Sequence, residues 1–242
     1  MNTFNISCGS LTNVGNRALN EDCLDILVGK NRIAFVLCDG LGGHGAGNVA
    51  SGLVVRKMKE ELSRGSSIQE SIIKAQNTLI NKQIEMDARD AMKTTVTCLT
   101  ISDNIAQWGH VGDSRIYLFE KARYKMRTMD HSVPQMLVNR GDIKESAIRH
   151  HEDRNRLLRV MGTNWDSPKC QIIEGISITK NTSFLLCSDG FWELIDEKMM
   201  CKTLRKAKTP QDWLNAMEII VRENGKGTNM DNYSAIAVFV RE

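Results

Sequence analysis

Proline is scarce in this 242-residue sequence, at 3 residues, and aromatic side chains make up only 5% of it. With 41% hydrophobic and 25% charged residues, so little proline excludes collagen-like, low-complexity and disordered chains. No apolar run approaches the ~20 residues of a membrane span. The opening MNTFNISCGSLTNVG has neither the basic leader nor the apolar stretch of a secretory signal, so a cytoplasmic protein is expected. Charge is nearly balanced, 32 Lys and Arg against 29 Asp and Glu, and a net +3 gives no electrostatic footprint for nucleic acid or membrane. The seven cysteines contain no Cys-x-x-Cys pair and sit mostly in apolar runs, as Cys38 and Cys187 do. That spacing argues against a disulfide framework or a cysteine zinc site.

What is present is a core-forming pattern. No Pro/Gly/Ser linker or composition break divides the chain, so residues 1–242 read as one domain. Arg32 to Cys38 reads as a buried strand. Val49 to Ser63 reads as a helix with Val49, Leu53, Met58 and Leu62 on its apolar stripe, and Ser67 to about Asp87 as a second with Ile68, Ile72, Leu79 and Ile80. Val96–Ile101 and Ile105–Val111 are β-rich segments joined by three residues, the length of a hairpin loop. Arg115–Phe119 with Tyr124–Thr128, then Ser183–Ser188 and Ala235–Val240, supply further strands. Helices are expected from about Glu197 to Ala207 and after Thr209-Pro210, where a capping residue precedes Pro at the first helical position; Trp213, Met217, Ile220 and Val221 share the face of the second. Residues 142–165 are charged and lack apolar periodicity, which predicts an exposed excursion.

Three apolar runs end in aspartate beside glycine: Cys38-Asp39-Gly40, Val111-Gly112-Asp113 and Ser188-Asp189-Gly190. Asn20-Glu21-Asp22 and Asp231-Asn232 add acids near the two ends. A single Asp-Gly after a strand is more often a turn than a ligand. If these ends converge, however, like charges would raise one another's pKa unless a cation neutralised them. An all-oxygen donor set suits Mg²⁺ or Mn²⁺ rather than zinc. Two such ions about 3.5–4 Å apart generate a nucleophilic hydroxide and clamp a phosphoryl displacement. Arg17, five residues before Asp22, offers a planar fork for the phosphate.

In order, Arg17-x-x-Asn20-Glu21-Asp22, Asp39-Gly40-Leu41-Gly42-Gly43-His44, Thr94-Thr95, Gly112-Asp113-Ser114-Arg115, Asp130-His131-Ser132, Ser188-Asp189-Gly190 and Asp231-Asn232 resemble the motifs of the metal-dependent protein phosphatase 2C family, bacterial type. The resemblance runs from about Asn13 to Val240. It implies an α+β fold, a four-layer αββα sandwich of two antiparallel sheets flanked by helices, and hydrolysis of phosphoserine and phosphothreonine in proteins. By the same resemblance Asp39 bridges two metal ions, Mn²⁺ or Mg²⁺. The Gly40 carbonyl completes one, Asp189 and Asp231 hold the other, and Asp22 and Glu21 act directly or through water. Arg17 binds the phosphate, and Asp113 with Asp189 holds a third, weaker ion. Residues about 140–165 become a flap beside the site. The implied partners are phosphorylated proteins and a serine/threonine kinase pathway, without nucleic acid or membrane.

Some positions depart from the pattern. Leu41 stands where relatives carry the histidine assigned as leaving-group acid, which leaves His44 as a candidate; Asn48, Lys93 and Glu152 also differ from the usual residues. Two other readings compete. A catalytically silent phosphatase-like binding module would be expected to have lost Asp39, Asp189 or Asp231, and all three remain. Gly40-Leu41-Gly42-Gly43-His44-Gly45 also spells a dinucleotide-binding G-x-G-x-x-G, which requires a parallel doubly wound sheet. His150-His151-Glu152 lacks the His-Glu-x-x-His of zinc proteases, and His131 reads as a capping or packing residue.

Overall fold

A computed structural model of the protein describes residues 4–41, 46–88 and 91–241. Its frame is set by strands whose two faces are both apolar. In β3 (Ile33–Cys38) the side chains of Phe35 and Leu37 join one hydrophobic cluster while Ala34, Val36 and Cys38 join another. β12 (Tyr233–Arg241) splits the same way, with Ile236, Val238 and Val240 facing one cluster and Ala235, Ala237 and Phe239 the other. A strand with period-2 side chains and two buried faces must lie between layers.

Those layers are two five-stranded antiparallel sheets. The first has the order β1 (Asn5–Asn13), β12, β11 (Thr182–Cys187), β8 (Arg115–Glu120) and β9 (Arg123–Arg127). The second has the order β10 (Gln171–Ser177), β7 (Ile105–Val111), β6 (Val96–Ser102), β3 and β2 (Cys23–Val28). Phe35, Leu99 and Trp108 of the second sheet meet Phe184, Ile236 and Val238 of the first in the central core. Truncating a ring such as Phe35 there would cost about 3–5 kcal/mol. α1 (Gly47–Ser63) and α2 (Ile68–Glu85) cover the outer face of the second sheet, and the short α4 (Asp189–Trp192), α5 (Glu197–Leu204) and α6 (Pro210–Asn224) that of the first. The expected four-layer αββα sandwich is what forms. The described strand pairs are all antiparallel, which removes the parallel sheet the dinucleotide reading needs.

Local signals held where they had a cap. Thr209 accepts from the Asp212 N–H at 3.1 Å with Pro210 at the start of α6, and Ser67 forms a capping box with Glu70 on α2. They failed where the pattern was mixed. β1, β2 and β10 went unread: β1 is a polar edge strand, and β10 is broken by a bulge between Ile173 and Ile176. On α1 the fully enclosed face is Ala50, Val54, Val55, Met58 and Leu62, while Val49 and Leu53 lie only partly buried.

The excursion after α3 (Val133–Arg140) is exposed or half-buried over most of its length, as expected, but is anchored at a few buried points. It opens with a 3-10 helix, Glu145–His150, whose Ile148 is buried, and closes on buried Met161, which pairs with Thr94 of β5 (Lys93–Thr94), the partner of the two-residue β4 (Gly40–Leu41). Ser132 pairs with Leu157, and Arg149 donates to the carbonyls of Trp192 and Ile195 at 3.0 and 3.2 Å. A charged segment is held here by its own arginines, a tertiary pattern with no sequence period.

Candidate functional site

Strand register collects the site. Cys23 pairs with Cys38, so Asp22 and Asp39 leave the same end of neighbouring strands. Cys187 pairs with Ala235 on one side and Arg115 on the other, which puts Asp189, Asp231 and Asp113 at one end of the first sheet. Gly112–Ser114 crosses from β7 of the second sheet to β8 of the first, joining the two ends. They open into a cavity of about 380 Å³ whose lining includes Arg17, Asp39, Gly40, Asp113, Asp189 and Asp231. Six sequence-selected residues thus meet in one place. Asp22 lies behind that lining, and His44 falls outside the described residues.

The backbone around each acid is pinned. Asp39 donates its N–H to Thr95 Oγ1 at 2.9 Å, and its carbonyl accepts from Thr94 Oγ1 and the Thr95 N–H, both at 2.8 Å. Gly40 admits no side chain: a Cβ would stand 2.4 Å from the Gly47 carbonyl oxygen and 2.6 Å from that of Glu21. At Gly190 it would stand 2.2 Å from the Asn232 carbonyl oxygen. Asn232, read in the sequence only as the second half of the Asp231-Asn232 motif, acts as a latch. It accepts from the Glu21 N–H at 2.8 Å and donates to the Val14 and Leu19 carbonyls at 2.8 and 3.0 Å, fixing the segment that carries Arg17. Glu21 caps α1 instead of facing the cavity chemistry alone: its Oε1 accepts from the Gly47 N–H at 3.1 Å, where the N-cap Ala46 offers no side-chain oxygen.

The acids repel one another. Burial, then Asp189, Asp22, Asp113 and Asp231, push the Asp39 carboxyl well above the usual range. Burial, then the neighbouring acids Asp189 and Asp130, raise Asp113 in the same way. Asp22 and Asp189 are also raised, first by burial and then by the charges around them. Asp22 Oδ2 accepts from Ser188 Oγ at 2.8 Å, while its buried Oδ1 has no partner.

A hard divalent cation fits this donor set. It would supply the charge that the crowded carboxyls lack, and the unpartnered Asp22 oxygen is a further acceptor beside them. No trio of His, Cys, Asp or Glu among the described residues is already disposed around a single ion. Mg²⁺-type ions need only one or two carboxylates each, with carbonyl and water oxygens completing the shell.

A second layer, unread in the sequence, holds Asp113. The Trp192 Nε1–H donates to the Asp113 carbonyl at 3.0 Å, and its ring lies 3.3 Å from the Arg115 guanidinium carbon. Arg115 is bound bidentately to Asp130 at 2.8 and 2.6 Å, and Arg127 adds a bond to Asp130 at 3.1 Å while also reaching Glu145. The Asp130-His131-Ser132 motif thus anchors the site from below. His131 is a packing residue, stacked on His110 with ring centroids 4.6 Å apart and accepting from the Gly112 N–H at 3.1 Å. A second cavity of about 650 Å³ shares Arg17, Asn155, Asp189 and Asp231 with the first and extends past Arg154 and Glu193.

A family model described as Protein phosphatase 2C matches residues 12–225. The chain is 29% identical to the serine/threonine phosphatase stp of Listeria monocytogenes over 90% of its own length and 89% of that protein. It is 28% identical to PstP of Mycobacterium tuberculosis but spans only 40% of that relative's length. Serine/threonine phosphatase Stp1 from Staphylococcus aureus superposes with TM-score 0.86 at 27% identity, covering 98% of this chain and 96% of that one. The catalytic domain of PstP in complex with two manganese ions has the same fold, with TM-score 0.80 at 23% identity, covering 99% and 100% of the two chains.

Proposed function

The chain belongs to the protein phosphatase 2C family, and from that premise we propose that it is a metal-dependent hydrolase of phosphoserine and phosphothreonine in proteins, opposing a serine/threonine kinase in the cytoplasm. The observation that carries the proposal is the meeting of Asp39, Asp113, Asp189 and Asp231 with Arg17 in one cavity. Asp39 and the Gly40 carbonyl would hold one Mn²⁺ or Mg²⁺, and Asp39, Asp189 and Asp231 the second. Asp113 with Asp189 would hold a third, and Asp22 would act from behind. When bound, the ions supply Lewis-acid charge and an activated water at neutral pH.

The remaining work falls to the chain. Arg17 stands at the rim on its contact with Asp231, free to turn its fork to a phosphate dianion. Thr94 and Thr95 fix the Asp39 backbone, so the central carboxylate is placed before substrate arrives. With Leu41 at the cavity wall, no imidazole stands at that position to protonate the leaving alkoxide, which would take its proton from water or from another group, His44 being the candidate. Among the described residues no helix is long and apolar enough to cross a membrane.

The test is hydrolysis of p-nitrophenyl phosphate and a phosphothreonine peptide with and without Mn²⁺. Activity should require the cation, and Asp39→Asn and Asp231→Asn should each lower turnover by about a hundredfold or more. A folded protein silent at every Mn²⁺ concentration would make this a binding module. Near-normal rates in both variants would remove the metal assignment.

A further inference from the structure

Two cysteines bracket the site from adjacent strands. Cys23 follows Asp22 at the start of β2, Cys38 precedes Asp39 at the end of β3, and the two are direct cross-strand partners. Directly paired residues point to the same face of a sheet. Here that face is the one under α1, where Cys38 is enclosed and Cys23 packs against the same cluster. Both thiols are free. Cα atoms of antiparallel partners stand roughly 4.5–5.5 Å apart, inside the roughly 4.4–6.8 Å that a disulfide spans.

We propose that Cys23 and Cys38 form a peroxide-driven disulfide that reversibly switches off cation binding by the neighbouring Asp22 and Asp39. Attack begins at Cys23, which is half-buried, whereas Cys38 is sealed in the core. The Cys23 sulfur takes one oxygen from a hydroperoxide, becoming a sulfenic acid and releasing water or alcohol. The Cys38 sulfur then displaces that oxygen as a second water, so two thiols are oxidised by two electrons and the peroxide O–O bond is reduced.

The consequence follows from geometry. Paired Cβ atoms stand about 4.5–5.5 Å apart, while a disulfide holds them near about 3.8 Å. Closing it draws the ends of β2 and β3 together by about 1 Å, at the residues next to both acids. Displacements of that size around a reacting centre can cost about a hundredfold. The bond also lies beneath α1, whose first turn packs on Gly40 and Glu21 beside the site.

This inference rests on the metal-site reading, and its test separates the two. The full chain is treated with hydrogen peroxide, remaining thiols are alkylated, and the peptides are mapped without reduction. A Cys23–Cys38 linked peptide is expected. Mn²⁺ affinity by calorimetry should weaken by about tenfold or more and recover with dithiothreitol. Cys23→Ser should bind Mn²⁺ normally and resist peroxide. Cys38→Ala serves as the second variant, and the linkage map of the unsubstituted protein decides the matter if neither folds. Linkage of Cys38 to Cys98, which sits diagonally from it opposite Val36, would overturn the proposal. So would a sulfinic acid at Cys23 without linkage, or a Cys23–Cys38 bond that leaves Mn²⁺ affinity intact. Failure of the untreated protein to bind Mn²⁺ at all would instead overturn the metal site itself.

Discussion

Arg17 and Asp231 lie 214 positions apart in sequence, and the Arg17 Nη2 donates to Asp231 Oδ2 at 2.9 Å. Both side chains are nearly half exposed, so the contact adds little to stability. It parks the guanidinium at the mouth of the cavity. In Arg17→Ala the fold should be unchanged and kcat/KM for a phosphopeptide should fall about 10- to 100-fold, the scale of one charge-assisted contact. Arg17→Lys, with charge but no fork, should fall between the two. Steady-state kinetics decides, and an unchanged kcat/KM in Arg17→Ala would strip the residue of its role.

Asp130 is the counter-ion for two enclosed arginines, Arg115 and Arg127, each within hydrogen-bond distance. Burial alone would raise its carboxyl, but the two guanidinium groups hold it below the usual range. Asp130→Asn leaves buried Arg115 without its counter-ion, while Arg127 keeps Glu145, and should cost about 3–5 kcal/mol in urea unfolding. Because Arg115 stacks on the Trp192 that holds Asp113, Mn²⁺ affinity should drop as well. A loss under about 1 kcal/mol would contradict the network.

Glu61 on α1 is nearly enclosed and reaches Lys57 at 2.7 Å and Lys74 at 2.5 Å, which ties α1 to α2. Hydrogen bonds from Lys57 and Lys74 bring its pKa down to about 2. A carboxylate held below its unfolded value of about 4.3 stabilises the fold fully above that pH and loses the effect as pH falls toward 2. Glu61→Gln should therefore lower the melting temperature at pH 7 and converge on the unsubstituted protein as pH falls below about 4. A melting-temperature gap that stays constant from pH 7 to pH 3 would assign the effect to packing instead.

The chemistry was legible because it sits in short motifs at strand ends. Asp39, Asp113 and Asp189 follow apolar runs that announce strands, and Asp231 precedes one. The supports were not legible. Asn232, Trp192 and Ser188 act through hydrogen bonds to partners far away in the chain, from 46 to 218 residues, and no local period records such bonds. β10 was hidden by its bulge, and the anchors of the excursion were hidden because Ile148 and Met161 are isolated apolar residues among charges.

The sequence by itself determined the layer plan and the acid set, since two-faced apolar strands must be covered on both sides and strand-end aspartates project from a sheet rim. Only the tertiary structure decided which acids meet, that Glu21 is spent on capping α1, and that Cys23 faces Cys38. Register is the reason: a shift of one residue would send each side chain to the opposite face, and pairing between distant strands is settled by the packed core.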